Sequence, residues 1–252
     1  MLSSGQRAKH QLEAGAARGL SIGSAPGETQ RWNKHPVVDS TGIYFNPMLR
    51  HLDRGSQEVD NGHFLQYEYV FGATAAAALY RRAMIEDVAL DGEFFDSDFF
   101  AYREDADVAW RAQLMGWKCL YVPYARGYHV RKVLPGNRRA LPSVINMHSV
   151  KNRFLMRIKN ISPRLYFRNW FSITVRDLAV VLYCLSWEHT SLKAFWLLAK
   201  SMKGVLAKRR LVQARKRVSD EYMASWFKYA PVSVRAPKKM VRLLSRTANV
   251  RP

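Results

Sequence analysis

The sequence predicts an α/β segment followed by a basic, amphipathic helical extension. Three observations carry the prediction. Between Pro36 and about Pro135, apolar and aromatic residues come in short runs separated by Gly, Asp and Asn, as in alternating strands and helices. From Asn152 onward the apolar residues instead fall into long, helix-spaced segments. The charge divides at the same place: residues 1–125 hold 12 Lys+Arg against 16 Asp+Glu, whereas residues 126–252 hold 28 against 4.

That division gives the two halves different tasks. The formal net charge of +20 belongs to the second half alone. Its bases and aromatics do not form a recognised nucleic-acid-binding module, so nucleic acid is not expected as a partner. With 48% hydrophobic residues the chain can bury a core. Cys119 and Cys184 are the two cysteines and lie far apart. Neither a disulfide framework nor a zinc motif is indicated, and both read as small buried side chains in a reducing compartment.

Taken in order, residues 1–35 read as a flexible leader. They are rich in Gly, Ala and Ser around Arg7, Lys9 and Arg18, lack the apolar stretch of a signal peptide, and leave room for a short helix near 6–18. The run FGATAAAAL (71–79) is Gly-then-Ala-rich and feeds a charged helical segment over 80–88. Residues 106–115 predict a helix. Val108, Trp110, Leu114 and Met115 are its apolar positions, Asp107 and Arg111 sit at i,i+4, and Gly116 is the stop. Glu104, Asp105 and Asp107 cluster at its N-terminus. Strands are predicted over 117–122 and 127–130, around Pro123. Beyond them, 152–160, 171–187 and 192–206 predict helices that precede the basic run KRRLVQARKR (208–217). Arg176 and Asp177 interrupt the most apolar of these, so these segments should lie on a membrane rather than cross it.

A carboxylate at a helix N-terminus can act as a general base, and the helix dipole is expected to keep it ionised. The run EFFDSDFFAYREDADVAWRAQLMGWKCLYVPYARGYHV (93–130) gives that cluster a context. It resembles the second half of the family 2 glycosyltransferases, especially their bacterial rhamnosyltransferase-like branch. In that family FDExFFxYxEDxDLxWR precedes GWxxxYxP and then a His; here the letters are FDSDFFAYREDADVAWR, GWKCLYVP and YHV. The resemblance extends through DSTGIYF (39–45), DRG (53–55), FGATAAAALYRR (71–82) and VKNRFLMRIKN (150–160).

The resemblance implies a partial GT-A, Rossmann-like glycosyltransferase core over 36–135, its acceptor-side half, with a basic helical membrane-associating region over 136–252. It implies inverting transfer of a sugar, plausibly rhamnose, from a nucleotide-sugar donor to a glycan or lipid-linked glycan acceptor of the cell envelope or capsule. Asp105 would be the general base, with Glu104 in support. Asp107, Trp110 and Arg111 would serve the acceptor side and anchor the helix. Gly72, Ala73 and Thr74 would form a small loop against which sugar lies, or else a tight helix-packing contact. His129 would help hold a divalent metal, Mg2+ or Mn2+, or else be a hydrogen-bonded core histidine in a strand.

Such enzymes begin with a nucleotide-binding half bearing an Asp-x-Asp motif after an apolar strand. Neither Asp96-Ser97-Asp98 nor Asp105-Ala106-Asp107 follows an apolar β run, so neither is expected to be that motif. The isolated chain is therefore not expected to bind donor or metal well. A second polypeptide would supply the missing half, or the chain is a truncated product. The alternative is a non-catalytic scaffold that docks to another transferase subunit. In the tail, Trp170, Phe171, Tyr183, Trp187, Phe195 and Trp196 lie among Lys and Arg. They point to peripheral binding at an anionic membrane surface, on the cytoplasmic side of the cell membrane, or else to a soluble helical cap.

Overall fold

The computed structural model describes residues 37–129 and 141–227. Four short strands and six α-helices follow in the order β1 (Ile43–Phe45), β2 (His51–Asp53), β3 (Glu68–Val70), α1 (Arg82–Val88), α2 (Glu104–Leu114), β4 (Cys119–Tyr121), α3 (Ser143–Asn160), α4 (Pro163–Ser186), α5 (Lys193–Ala214) and α6 (Asp220–Trp226). The architecture is a helix-dominated mixture of helix and strand.

β1 and β2 form an antiparallel hairpin in which Tyr44 faces Leu52. Its turn closes on the Asn46 side chain, whose Oδ1 accepts from the backbone N–H of Met48 (3.1 Å) and Arg50 (3.0 Å). β3 and β4 form a second antiparallel pair, with Tyr69 facing Leu120. The Ile43 N–H donates to the Gly72 carbonyl at 2.7 Å and joins the two ladders. Among the described residues every strand pairing is antiparallel, so the parallel sheet of a Rossmann-like core is not seen in them.

Helix ends follow from sequence chemistry. α2 stops at Gly116, whose φ of 84° is costly for any residue with a Cβ. There the Gly116 N–H donates to the Gln113 carbonyl and the Trp117 N–H to that of Ala112, capping the last turn twice. α4 starts at Ser162, whose Oγ accepts from the Leu165 N–H, and at Pro163, which lacks the N–H a first-turn residue would leave unpaired. α6 is capped in the same way by Ser219.

The core is aromatic. The fully buried Trp110 of α2 meets Phe45 at 5.0 Å and Phe227 at 5.3 Å between ring centroids, and Phe71 completes the cluster. α3 packs mainly on α5, and Cys184 is buried beside Val150 and Ala194.

The helical extension is longer than its apolar pattern predicts. α3 begins at 143 rather than 152, α4 at 163 rather than 171, and α5 runs into the basic stretch. In α3 the missed turns bury the polar Asn146 and Lys151, which an apolar pattern does not register. No strand forms over 127–129, a segment with no partner strand to pair with. Val130, the leader 1–35 with its helix near 6–18, and the domain boundary at 135 lie outside the described residues. No described helix is long and apolar enough to cross a membrane.

Candidate active site

The chain enters α2 through an unusual turn. Phe100, Tyr102 and Arg103 have φ of 60°, 66° and 73°, a region that side chains with a Cβ rarely occupy. α3 holds the turn in place. The fully buried Asn152 shares its amide protons among the carbonyls of Phe99 (2.7 Å), Ala101 (2.8 Å) and Tyr102 (2.9 Å), and Arg103 Nε donates to the Ser149 carbonyl at 3.2 Å. Strain kept by surrounding contacts in this way is characteristic of functional turns.

The turn delivers Glu104 and Asp105 to the first turn of α2. Asp105 is half-buried and faces the small-residue loop, where the Ala75 N–H donates to its Oδ2 at 3.4 Å; its Oδ1 accepts from the Ala106 N–H at 2.7 Å. Burial raises the Asp105 carboxyl above its ordinary range, the two N–H groups pull it partly back, and the charge of Asp53 raises it again. Glu104 is raised by burial and, to a lesser degree, by Asp105. Desolvation thus works against the ionised form that the helix N-terminus favours. A base whose pKa is raised toward the working pH is the better proton acceptor.

Two enclosed polar atoms beside this carboxylate have no hydrogen-bond partner among the described residues: Oε2 of Glu104 and the hydroxyl of Tyr80. Burial, with the Asp105 charge behind it, holds the Tyr80 phenol well above its usual value. Buried groups left unpaired are uncommon and call for an explanation, a ligand or water among them. On the other side of the turn, Arg103 Nη1 lies 2.6 Å from Nδ1 of His51. Arginine only donates, so Nδ1 is the acceptor and the proton sits on Nε2. Burial, then Arg103, Arg153 and Arg50, hold this imidazole well below its usual pKa and therefore neutral.

Three residues expected on the acceptor side lie in the interior. Asp107, Trp110 and Arg111 are fully buried. The expected Asp107–Arg111 pair does form, at 2.9 Å, but inside a buried network. Lys159 of α3 bonds Asp107 and Asp96, Asn160 donates to Asp107 at 2.7 Å, and Lys208 of α5 reaches Asp96 and Asp98 at 2.6 Å each. Arg111 also donates to the carbonyls of Val88 and Phe94. These residues hold α2 in place. The carboxylates of Asp96-Ser97-Asp98 are thereby engaged by lysines.

Of the small loop, Gly72 is packing rather than surface. A Cβ there would stand 2.2 Å from that of Ala109, so its lack of a side chain lets the loop lie on α2. Ala73 and Thr74 are half-buried, and Ala75 to Ala77 are exposed. His129 is neither in a strand nor in the core. Its exposed ring bonds Asp39 Oδ2 through Nδ1 at 2.8 Å. One imidazole and one carboxylate fall short of the oxygen set a hard divalent cation takes, and among the described residues no group of three or more His, Cys, Asp or Glu could hold a metal. These residues alone do not fit the metal.

A cavity of about 270 Å³ lies between α3 and α4, lined by Ser149, Val150, Arg153, Arg176, Tyr183 and Cys184 among others. Sequence reasoning missed Asn152, His51, Tyr80, Lys159 and Lys208. The contacts that place them are long-range, and the local hint was only that Asn152 and Lys159 fall within VKNRFLMRIKN and Tyr80 within FGATAAAALYRR. Compared with known protein families, with curated proteins and with solved structures, the chain finds no match in any of the three.

Proposed function

We propose that the chain is the acceptor-side part of an inverting GT-A glycosyltransferase. In this reading Asp105 takes the proton from an acceptor hydroxyl as that oxygen attacks the anomeric carbon of a nucleotide sugar, a rhamnose donor. The diphosphate leaves with the electron pair of the broken bond. The observation that carries the reading is the pair Asp105 and Glu104, raised by burial and placed at a strained helix entry opposite a loop of alanines. Tyr80 and Glu104 would supply hydrogen bonds to the acceptor. Ala73, Thr74 and the alanines after them would let a sugar ring approach the main chain. The acceptor would be a cell-envelope or capsular glycan, and the protein would work peripherally at the inner face of the membrane. A divalent cation on the donor diphosphate would need ligands beyond Asp39 and His129, from a second polypeptide or another part of the enzyme.

The test is sugar transfer from labelled nucleotide sugars by the chain together with any polypeptide that co-purifies with it. Asp105→Asn should lower kcat by roughly a hundredfold or more. Undiminished transfer by the variant removes the assigned base.

One observation favours a second reading, a non-catalytic scaffold that docks to another transferase. Asp96 and Asp98, the acid pair with metal-motif spacing, are engaged by Lys159 and Lys208. A stable co-purifying transferase whose activity is indifferent to Asp105→Asn would favour that reading.

A further inference from the structure

α4 carries a row of apolar side chains that the other described residues leave exposed. Phe167, Phe171, Val175, Leu178, Leu182 and Leu185 recur at spacings of four and three residues, and all are exposed, from 46% at Val175 to 70% at Phe167. At about 100° per residue they fall on one face of the helix, and at 1.5 Å per residue the row is about 27 Å long. The opposite face is the structural one, where Leu165, Ile173 and Cys184 are buried. A single exposed leucine is ordinary; six apolar side chains in one row mark a contact surface.

The row has the 3–4 spacing of a coiled-coil seam, so a second copy of the chain is one candidate occupant. The charges around it argue against that. Arg164 and Arg168 are exposed on α4, and Lys193, Lys200, Lys203 and Arg210 on α5. The only acids between residues 163 and 214 are Asp177 and Glu188. Asp177 bonds Arg157, Glu188 accepts from Ser191, and Arg164 pairs with Glu221 outside the stretch. A symmetric pair of α4 helices would bring cations together without acids to offset them. An anionic lipid surface takes both the apolar row and the cations. Trp170, Trp187 and Trp196 are exposed beside them, and indole rings favour the headgroup zone.

We propose that α4 lies in the plane of an anionic phospholipid surface, with the Phe167–Leu185 row inserted among the acyl chains and the exposed lysines and arginines at the headgroups. This deepens the peripheral placement proposed above and is independent of the transfer chemistry, since vesicle binding is measured without donor or acceptor.

The experiment is co-sedimentation of the full chain with vesicles of phosphatidylcholine mixed with phosphatidylglycerol, and with vesicles of phosphatidylcholine alone. Binding to the anionic vesicles should be the stronger and should weaken with salt. The triple variant Phe171→Ser/Leu178→Ser/Leu182→Ser should partition at least about tenfold more weakly, with an unchanged circular dichroism spectrum because all three side chains are exposed. In the unmodified protein, lipids brominated on the acyl chain should quench Trp170 fluorescence, and Trp170→Tyr should remove that part. Two results overturn the proposal. One is undiminished vesicle binding by the triple variant with no quenching in the unmodified protein. The other is a dimer in analytical ultracentrifugation that the triple variant loses, with no vesicle binding by either protein.

Discussion

Asp96 and Asp105 are nine residues apart, both are removed from solvent to a large degree, and burial is the largest single influence on each, yet they end on opposite sides of the ordinary carboxylate range. For Asp96, burial raises the carboxyl but the ammonium groups of Lys159 and Lys208 more than reverse it, to about 2. For Asp105 the only opposing groups are backbone N–H donors, and the carboxyl stays raised. The difference separates a carboxylate spent on holding the fold from one left available to accept a proton. Its cause lies in which residues α3 and α5 present: lysines toward the 96–98 turn, and an asparagine that grips main-chain carbonyls toward the 100–103 turn.

The comparison can be broken hardest at Lys159. Replacing it with Met leaves Asp107 with Arg111 and Asn160, and Asp96 with Lys208 and the Asp98 N–H. Removing one partner from a buried ionic cluster costs about 3–5 kcal/mol. Urea unfolding should register that loss, and adding Asp96→Asn should recover part of it. A change below about 1 kcal/mol in the single variant would mean that the network is peripheral to stability.

Acid sharpens the same contrast. Because the folded protein holds Asp96 below its unfolded value, the stability this residue contributes is complete above the ordinary carboxylate range. It is lost as pH falls from about 4 to about 2, and its size is about 2 kcal/mol. Asp96→Asn should flatten unfolding free energy against pH in that window. A curve parallel to that of the unmodified protein would contradict the pairing.

Much of α2 could be read from the letters. The spacing of Val108, Trp110 and Leu114 and the stop at Gly116 place a helix within two residues of the observed one, since both signals are local. The carboxylate cluster at its start was legible for the same reason. That Asp107, Trp110 and Arg111 lie in the interior was not, because their partners are distant in sequence: Lys159 and Asn160 for Asp107, Phe45 and Phe227 for Trp110, and the Val88 and Phe94 carbonyls for Arg111. The upward direction of the Asp105 shift is set by burial, and the Ala75 N–H that opposes it comes from thirty residues away in sequence. Gly72 shows the same limit. A Gly before alanines suits both a ligand loop and a helix contact, and only the proximity of Ala109 decides. Gly72→Ala should therefore destabilise by about 1–2 kcal/mol through overpacking, and Ala109→Gly in the same chain should restore the unfolding midpoint. Failure of that rescue would locate the damage in the backbone rather than in the contact.

The smallest stability effect is expected at the residue of greatest functional interest. Asp105 is raised in the folded state, so its ionised form is disfavoured there, and the protein loses a little stability as pH rises through the raised pKa. Asp105→Asn removes that charge and keeps one oxygen for the Ala106 N–H, while the long 3.4 Å contact from the exposed Ala75 N–H passes to water. The urea midpoint at neutral pH should stay the same or rise, by under about 1 kcal/mol, and the thermal midpoint should follow. A loss of about 2 kcal/mol or more would make Asp105 a structural carboxylate like Asp96. Unaltered stability combined with lost transfer would leave it a group whose charge serves chemistry rather than the fold.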